Sequence, residues 1–258
     1  MIVLPMAGES SRFARAGYAL PKYRLLLHGH TVFAHALGSF SHYFATERFL
    51  FVCRNTPGTP EFVRSECAML GVPQHNVEVV ALDAATAGQA ETVAAGLRRG
   101  GVSGNEPLTV FNIDTFRPGF QHPALVDGAG VDGYIEVFTG EGEAWSFVRS
   151  ADTDGGKVLE VAEKRRISNL CSDGLYHFRS AALFLSLYAE AEFVDPAQLQ
   201  GGERYVAPLY NIAISRGLDI RYVLVASDRI LFCGTPEEYE VLRSRPPFLP
   251  LSNADRAR

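Results

Sequence analysis

Two cations, a glycine and a pair of serines stand close together at the start of this 258-residue chain. Met1–Met6 (MIVLPM) is an apolar run too short for a helix, and it leads directly into Ala7-Gly8-Glu9-Ser10-Ser11-Arg12-Phe13 and then Pro21-Lys22. A buried strand that opens into a small-residue loop aims backbone N–H groups at a bound anion, and Arg12 and Lys22 add positive charge. The chemistry such a loop suits is the handling of a polyphosphate. A plain strand-to-helix connection accounts for the glycine and serines, but not for both cations.

Two later clusters extend this chemistry. Thr86-Ala87-Gly88-Gln89-Ala90-Glu91-Thr92 follows a strand-like run and opens a helix-like one. Gly88 lets the backbone approach a planar base, whose edge Gln89 and nearby backbone can read by hydrogen bonds. The structural alternative is a threonine N-cap with Gln and Glu in the first turn. Asn112-Ile113-Asp114 closes the most hydrophobic run, Leu108–Ile113. Ligands of α/β proteins bind at the carboxyl ends of parallel strands, and a hard divalent cation takes oxygen ligands beside phosphates. Asp114 is therefore the candidate metal ligand, with capping of the turn before Phe116-Arg117-Pro118 as the alternative. The chain has 21 arginines but only three lysines, Lys22, Lys157 and Lys164, so each ammonium invites a reason for its retention.

The elements that must position these residues alternate as in an α/β protein. Strands are predicted at Ile2–Met6, Arg48–Cys53, Val77–Leu82 and Leu108–Ile113, and helices at Thr31–Tyr43, Pro60–Leu70 and Gly88–Arg99. Strands buried on both faces and joined by helices imply a mostly parallel sheet. Beyond Pro118, glycine-rich turns at Gly128-Ala129-Gly130, Gly140-Glu141-Gly142 and Gly155-Gly156 separate strand-like runs at Gly133–Thr139, Ala144–Arg149 and Val158–Ala162. These imply a small antiparallel extension that receives a second substrate. Helices at Ser180–Ala191 and Val206–Arg216 and a strand at Ile220–Val225 follow. The expected fold is a single Rossmann-like α/β domain over residues 1–242, a mixed, mostly parallel sheet flanked by helices, with 243–258 as a loose tail.

Composition bounds the function. A net charge of −5 argues against a nucleic-acid coat or an anionic membrane surface as partner. The apolar start is far shorter than the roughly 20 residues a membrane-spanning helix needs. Cys53, Cys67, Cys171 and Cys233 are widely spaced, with no C-x-x-C pair, which suits free thiols in a reducing, cytoplasmic setting. His28-Gly29-His30 could present two imidazoles, but two histidines alone are a weak metal signal.

The pattern PMAGxxSRF followed by PK resembles the signature loop of the sugar-phosphate nucleotidylyltransferases, or pyrophosphorylases, and its PMAG start resembles capsule-type members. Further along, Thr86–Ala90 resembles the family's T-x-G-x-A base-recognition segment, Asn112-Ile113-Asp114 its [NG]-x-D metal element and Glu163-Lys164 its E-K element. Gly174-Leu175-Tyr176-His177-Phe178, preceded by Ser168-Asn169, resembles its G-x-Y-x-F strand, and Gly234-Thr235-Pro236-Glu237-Glu238-Tyr239 its terminal turn and helix.

The resemblance implies that Ala7, Gly8, Glu9, Ser10, Ser11, Thr86, Gly88, Gln89 and Asn112 bind nucleotide. It makes Arg12, Lys22 and Lys164 the catalytic cations, gives the acceptor to Glu163, Asn169 and Tyr176, and gives Mg²⁺ to Asp114. The implied partners are an NTP, CTP or UTP before others, and a phosphorylated acceptor such as a sugar 1-phosphate, in a chain that could self-associate. Ser10 stands where the family has glycine, Arg165-Arg166 where it has proline, and Phe232 where it has a second metal-binding aspartate, with Asp228 four residues away. Arg165-Arg166 implies a loop reshaped for a more anionic acceptor. A metal-dependent glycosyltransferase of similar topology and a catalytically silent nucleotide-binding homologue remain as alternatives.

Overall fold

Apolar side chains on both faces make Ile2–Met6 a strand that must be covered on both sides, and it is the strand β1 around which the molecule is built. The computed structural model describes residues 1–102, 104–126, 130–151, 156–195, 199 and 202–247. Helix α1 (Ser11–Arg15), the hairpin of β2 (Leu26–Leu27) and β3 (His30–Thr31), helix α2 (Val32–Gly38) and strand β4 (Phe49–Arg54) follow. Then come helix α3 (Thr59–Met69), strand β5 (Val77–Leu82), helix α4 (Gln89–Arg99) and strands β6 (Leu108–Phe111) and β7 (Thr115–Phe116). The second half contributes β8 (Gly133–Thr139), β9 (Ser146–Ser150), β10 (Val158–Glu163) and β11 (Leu170–Phe178), then helices α5 (Ala181–Ala191) and α6 (Leu209–Ser215). Strands β12 (Ile220–Leu224) and β13 (Leu231–Phe232) and helix α7 (Pro236–Ser244) complete it.

β6, β1, β4 and β5 are neighbours in that order and all parallel. Their connections are helical, and two cores form, one on each face: Val3, Leu50 and Val52 pack with α4 on one side, while Ile2, Leu4, Phe49 and Phe51 pack with α2 and α3 on the other. β11 runs antiparallel to β6 and joins this half to the rest of the sheet, pairing with β8 along one edge and meeting β9, which carries β10, near its start. β12 adds to β8 in parallel. The sheet is thus mixed and flanked by helices, as expected, with β9 and β10 forming the antiparallel extension.

Several boundaries differ from the sequence reading for local reasons. The helix expected over Thr31–Tyr43 stops at Gly38 and resumes as a 3₁₀ turn at Ser41–Tyr43; buried Ser39 lies in the break and accepts the Arg117 backbone N–H at 2.9 Å. α6 starts at Leu209, after Pro208 at its N-cap. β6 ends at Phe111, because Asn112 turns its N–H to the Gly174 carbonyl at 3.3 Å. The turn expected at Gly128-Ala129-Gly130 lies mostly, and that at Gly155-Gly156 partly, outside the described residues; of the tail, α7 takes residues 243 and 244, and 248–258 lie outside. Among the described residues no helix is long and apolar enough to cross a membrane, and the four cysteines are free and buried.

Candidate active site

The polypeptide leaves β1 into a cleft of about 760 Å³ lined by Ala7–Arg12, Lys22, Thr86, Gly88, Gln89, Asn112, Asp114, Glu163, Lys164 and Tyr176. Residues from five separate sequence clusters therefore converge on one cavity. Only Asn169, among the expected site residues, does not line it.

The first loop turns at Ser10, whose φ of 53° lies in the left-handed region that favours glycine. The serine follows that path, and its Oγ accepts the backbone N–H of Lys22 at 3.2 Å, tying the two ends of the loop together. Phe13, the one buried residue of α1, contacts the rings of Tyr18 and Tyr239, and the Tyr18 hydroxyl donates to Glu240 at 2.6 Å. The loop is thus fastened to α7. Buried Tyr23, beside Lys22, packs its ring tilted by 45° against Phe62 of α3 and brings its hydroxyl to 3.4 Å from Thr59 Oγ1.

The base-reading candidate is fixed from below. Gly88 has φ 147°, and a Cβ there would come within 2.5 Å of the Arg204 backbone nitrogen and 2.7 Å of its carbonyl oxygen. The close approach is used: Arg204 N–H donates to Ala87 and the Ala90 N–H donates to Arg204, both at 2.8 Å. Gln89 Nε2 donates to Asn112 Oδ1 at 2.5 Å, linking the start of α4 to the end of β6. Thr86 bonds Thr92 at 2.6 Å and is not the N-cap; that position belongs to Gly88.

Asp114 faces Lys22, whose ammonium donates to Oδ2 and forms an ion pair with it, both side chains being about one-fifth exposed (23% and 18%). Opposite them, Gly234 leaves room: a Cβ at that position would lie 3.0 Å from Asp114 Oδ2 and 3.5 Å from Glu238 Oε2. Glu238 is the second carboxylate beside Asp114. Its Oε2 accepts the Gly234 and Thr235 N–H groups at 2.8 and 3.0 Å in the capping box of α7. Burial, and to a lesser extent Asp114, raise its pKa. The sequence signal for Glu238 was the T-x-x-E spacing from Thr235. Phe232 packs on Trp145 and Phe138 with ring centroids 4.6 and 5.2 Å away, and Asp228 sits in a 3₁₀ turn outside the cleft lining.

The far half of the cleft holds Glu163, Lys164 and Tyr176. Glu163 ends β10 with 5% exposure; burial raises its pKa, opposed by the Ser146 hydroxyl that donates to it. Ser146 also reaches the Tyr176 hydroxyl at 3.3 Å. Lys164 has φ 51°, and its ammonium lies over the Tyr205 ring at 4.6 Å while bonding the Tyr205 hydroxyl. No spacing in the sequence pointed to Ser146, Trp145 or Tyr205. The two arginines after Lys164 do not face the cleft. Arg165 pairs with Glu160 at 2.7 Å, while Arg166 donates to the carbonyls of Gly140 and Gly142 and to Asn169 Oδ1 at 2.6 Å. The expected reshaping for a more anionic acceptor is therefore corrected: Arg165, Arg166 and Asn169 brace the loops of the antiparallel extension instead.

No protein-family model and no curated protein matches the chain. Solved structures do. The nucleoside-diphosphate-sugar pyrophosphorylase from Vibrio cholerae RC9 is 46% identical and aligns with a TM-score of 0.89 over 95% of this chain and 100% of its own. UDP-glucose pyrophosphorylase complexed with UDP-glucose aligns at 0.74 with 16% identity over 94% of this chain and 96% of its own. The inositol-1-phosphate CTP transferase from T. maritima aligns at 0.70 with 15% identity over 93% and 94%. The last two show a shared fold. The first, at nearly half identity over its full length, shows kinship, and the chain belongs to the sugar-phosphate nucleotidyltransferases, the pyrophosphorylases.

Proposed function

We propose that the protein joins an NTP, CTP or UTP before others, to a phosphorylated acceptor of the sugar 1-phosphate class and releases pyrophosphate. The observation that carries this reading is the convergence of Arg12, Lys22, Asp114 and Lys164 on one cleft that also holds Gly88, Gln89 and Glu163. An acceptor phosphate oxygen attacks the α-phosphorus, the bond to the β-phosphate oxygen breaks, and pyrophosphate leaves with the electron pair. Both reactants are anions, so the protein's task is to neutralise charge and align them. Arg12 and Lys22 stand on the loop that meets the triphosphate. Lys164 stands beside the acceptor half. Glu163 accepts hydrogen bonds from acceptor hydroxyls, and Tyr176 closes the pocket behind it. No side-chain nucleophile is needed.

Asp114 suits Mg²⁺: it offers a hard carboxylate oxygen to a cleft fit for phosphates, the setting in which one carboxylate plus substrate oxygens and water suffices. No group of three ligating side chains gathers among the described residues. When bound, the ion withdraws charge from the phosphates. The family resemblance of the PMAG start supports a place in surface-polysaccharide synthesis, and the free thiols support a cytoplasmic one. The test is pyrophosphate release with each of the four NTPs against a panel of sugar 1-phosphates and Mg²⁺. Release that requires both substrates supports the reading. Transfer from a finished sugar nucleotide to a hydroxyl acceptor, without pyrophosphate, would replace it by glycosyl transfer.

A further inference from the structure

Lys22 does not wait in the open for a phosphate: its ammonium already sits on Asp114 Oδ2. Among the described residues this is the one ion pair Asp114 makes; Arg12 lines the same cleft and its charge reaches Glu238, but among the described residues it forms no ion pair with Asp114. Gly234 presents bare backbone, Phe232 is apolar, and Glu238 adds a second carboxylate. A divalent cation approaching the nucleotide-free protein meets a carboxylate whose charge is taken.

We infer that Lys22 and the metal exchange places, so that the cleft takes a metal–nucleotide complex rather than a free divalent cation. The inference rests on Asp114 being the metal ligand. Three features support the exchange. Both partners stand on the cleft wall, still about one-fifth exposed, where an entering phosphate can reach the ammonium. Lysine carries a point charge on a flexible stem with three rotatable donors, so one swing moves it from a carboxylate to a phosphate oxygen without a rigid geometry to break. A hard divalent cation gains little from a single carboxylate and is normally completed by substrate phosphates. When the triphosphate enters, its oxygens offer the ammonium a stronger partner, and Oδ2 is released as the metal arrives on the same phosphates. Lys22 is then the counter-ion of Asp114 in the free protein and of the phosphates in the complex.

The test is Mn²⁺ binding by the nucleotide-free protein, followed by the electron paramagnetic resonance signal of free Mn²⁺. Removing a cation next to a carboxylate typically raises its affinity for another cation by about tenfold or more. Lys22→Met and Lys22→Gln are therefore each expected to bind Mn²⁺ at least about tenfold more tightly than the wild type. Lys22→Arg, which keeps the charge, should stay at the wild-type level, and adding Asp114→Asn to Lys22→Met should erase the gain. Wild-type affinity in both neutral variants overturns the exchange. A second measurement separates this from the reading it rests on: water-proton relaxation by Mn²⁺ in the complex with CTP or UTP, compared for wild type and Asp114→Asn. Loss of the enhancement in Asp114→Asn together with no gain in the Lys22 variants leaves Asp114 as the ligand and refutes the exchange alone. An unchanged enhancement in Asp114→Asn removes the metal ligand, and the exchange with it.

Discussion

Ser10 shows how a residue that departs from a family pattern can keep its geometry. With φ 53° the serine bears the steric cost of the left-handed region, about 1–2 kcal/mol for a residue with a Cβ. Its hydroxyl recovers part of that by accepting the Lys22 N–H. Ser10→Gly removes the steric cost and the hydrogen bond together and adds backbone entropy to the unfolded chain, whereas Ser10→Ala removes only the bond. Urea unfolding is expected to rank Gly at or above Ser and Ala below it by about 1 kcal/mol; alanine equal to serine would mean the hydroxyl does nothing for the loop. Glu163 is the second test at this scale. Its buried carboxylate already takes one hydrogen bond from Ser146 and faces the cleft. Glu163→Gln should raise the acceptor KM about tenfold or more, the worth of a hydrogen bond to a charged group, and leave the nucleotide KM unchanged. Because burial raises the folded-state pKa of Glu163 above its unfolded value, the wild type loses stability as pH rises through that raised value. Glu163→Gln should not lose it, and pH-resolved thermal melts of the two proteins make the comparison.

At the scale of elements, Gly88 is the position where chain path and function meet. Its φ and the approach of the Arg204 backbone leave no room for a side chain, so Gly88→Ala must push apart the start of α4 and the segment before α6. The expected result is a loss of about 2 kcal/mol or more in stability together with a raised nucleotide KM; a nucleotide KM equal to the wild type's would detach this segment from base recognition. The sequence made Gly88 legible because glycine between a strand and a helix is a local signal, but the Arg204 backbone that makes it necessary comes from a segment with no pattern of its own. The same division holds elsewhere. β1, β5 and β8 were legible to the residue because their apolar runs are bounded by polar or turn residues. β11 was legible only from Gly174 onward. Asp173-Gly174 in its interior looks like a turn in sequence, yet the chain passes through it as a bulge between Ser172 and Tyr176, where Gly174 takes φ 94° against the Asn112 side chain. For the site, types and spacing pointed to the first loop, Thr86–Gln89 and Asp114, the family resemblance added Glu163, Lys164 and Tyr176, and all of these line the cleft. Asn169, Arg165 and Arg166 were misplaced because adjacency in sequence to Lys164 does not tell which way a loop side chain turns, and here the carbonyls of Gly140 and Gly142 and the Glu160 carboxylate draw the arginines outward.

Across the whole molecule, the sheet that β11 joins to β6 is accompanied by a buried charge cluster that reaches the cleft. Arg117, just after β7, pairs with Glu136 of β8 at 2.6 Å, and Asp173 of β11 lies beside Glu136 and reaches the cleft lining. All three are buried, with exposures of 8%, 2% and 1%. One guanidinium cannot neutralise two carboxylates, and desolvation first, then the charge of Glu136, pushes the Asp173 pKa well up. Asp173 is the member of the pair whose pKa is driven up, so protonation of the pair is felt there first. A raised folded-state pKa means that the stability this proton confers is complete below the unfolded value and declines as pH climbs through the folded one. Asp173→Asn keeps the shape and a donor but cannot ionise, so its urea midpoint should stay level through the alkaline range in which the wild type's falls. Arg117→Met should instead lose about 3–5 kcal/mol at neutral pH, because it strands Glu136 without a counter-charge. Should Asp173→Asn and wild type decline in parallel with pH, the proton does not reside on Asp173, and the buried cluster reduces to the Arg117–Glu136 pair.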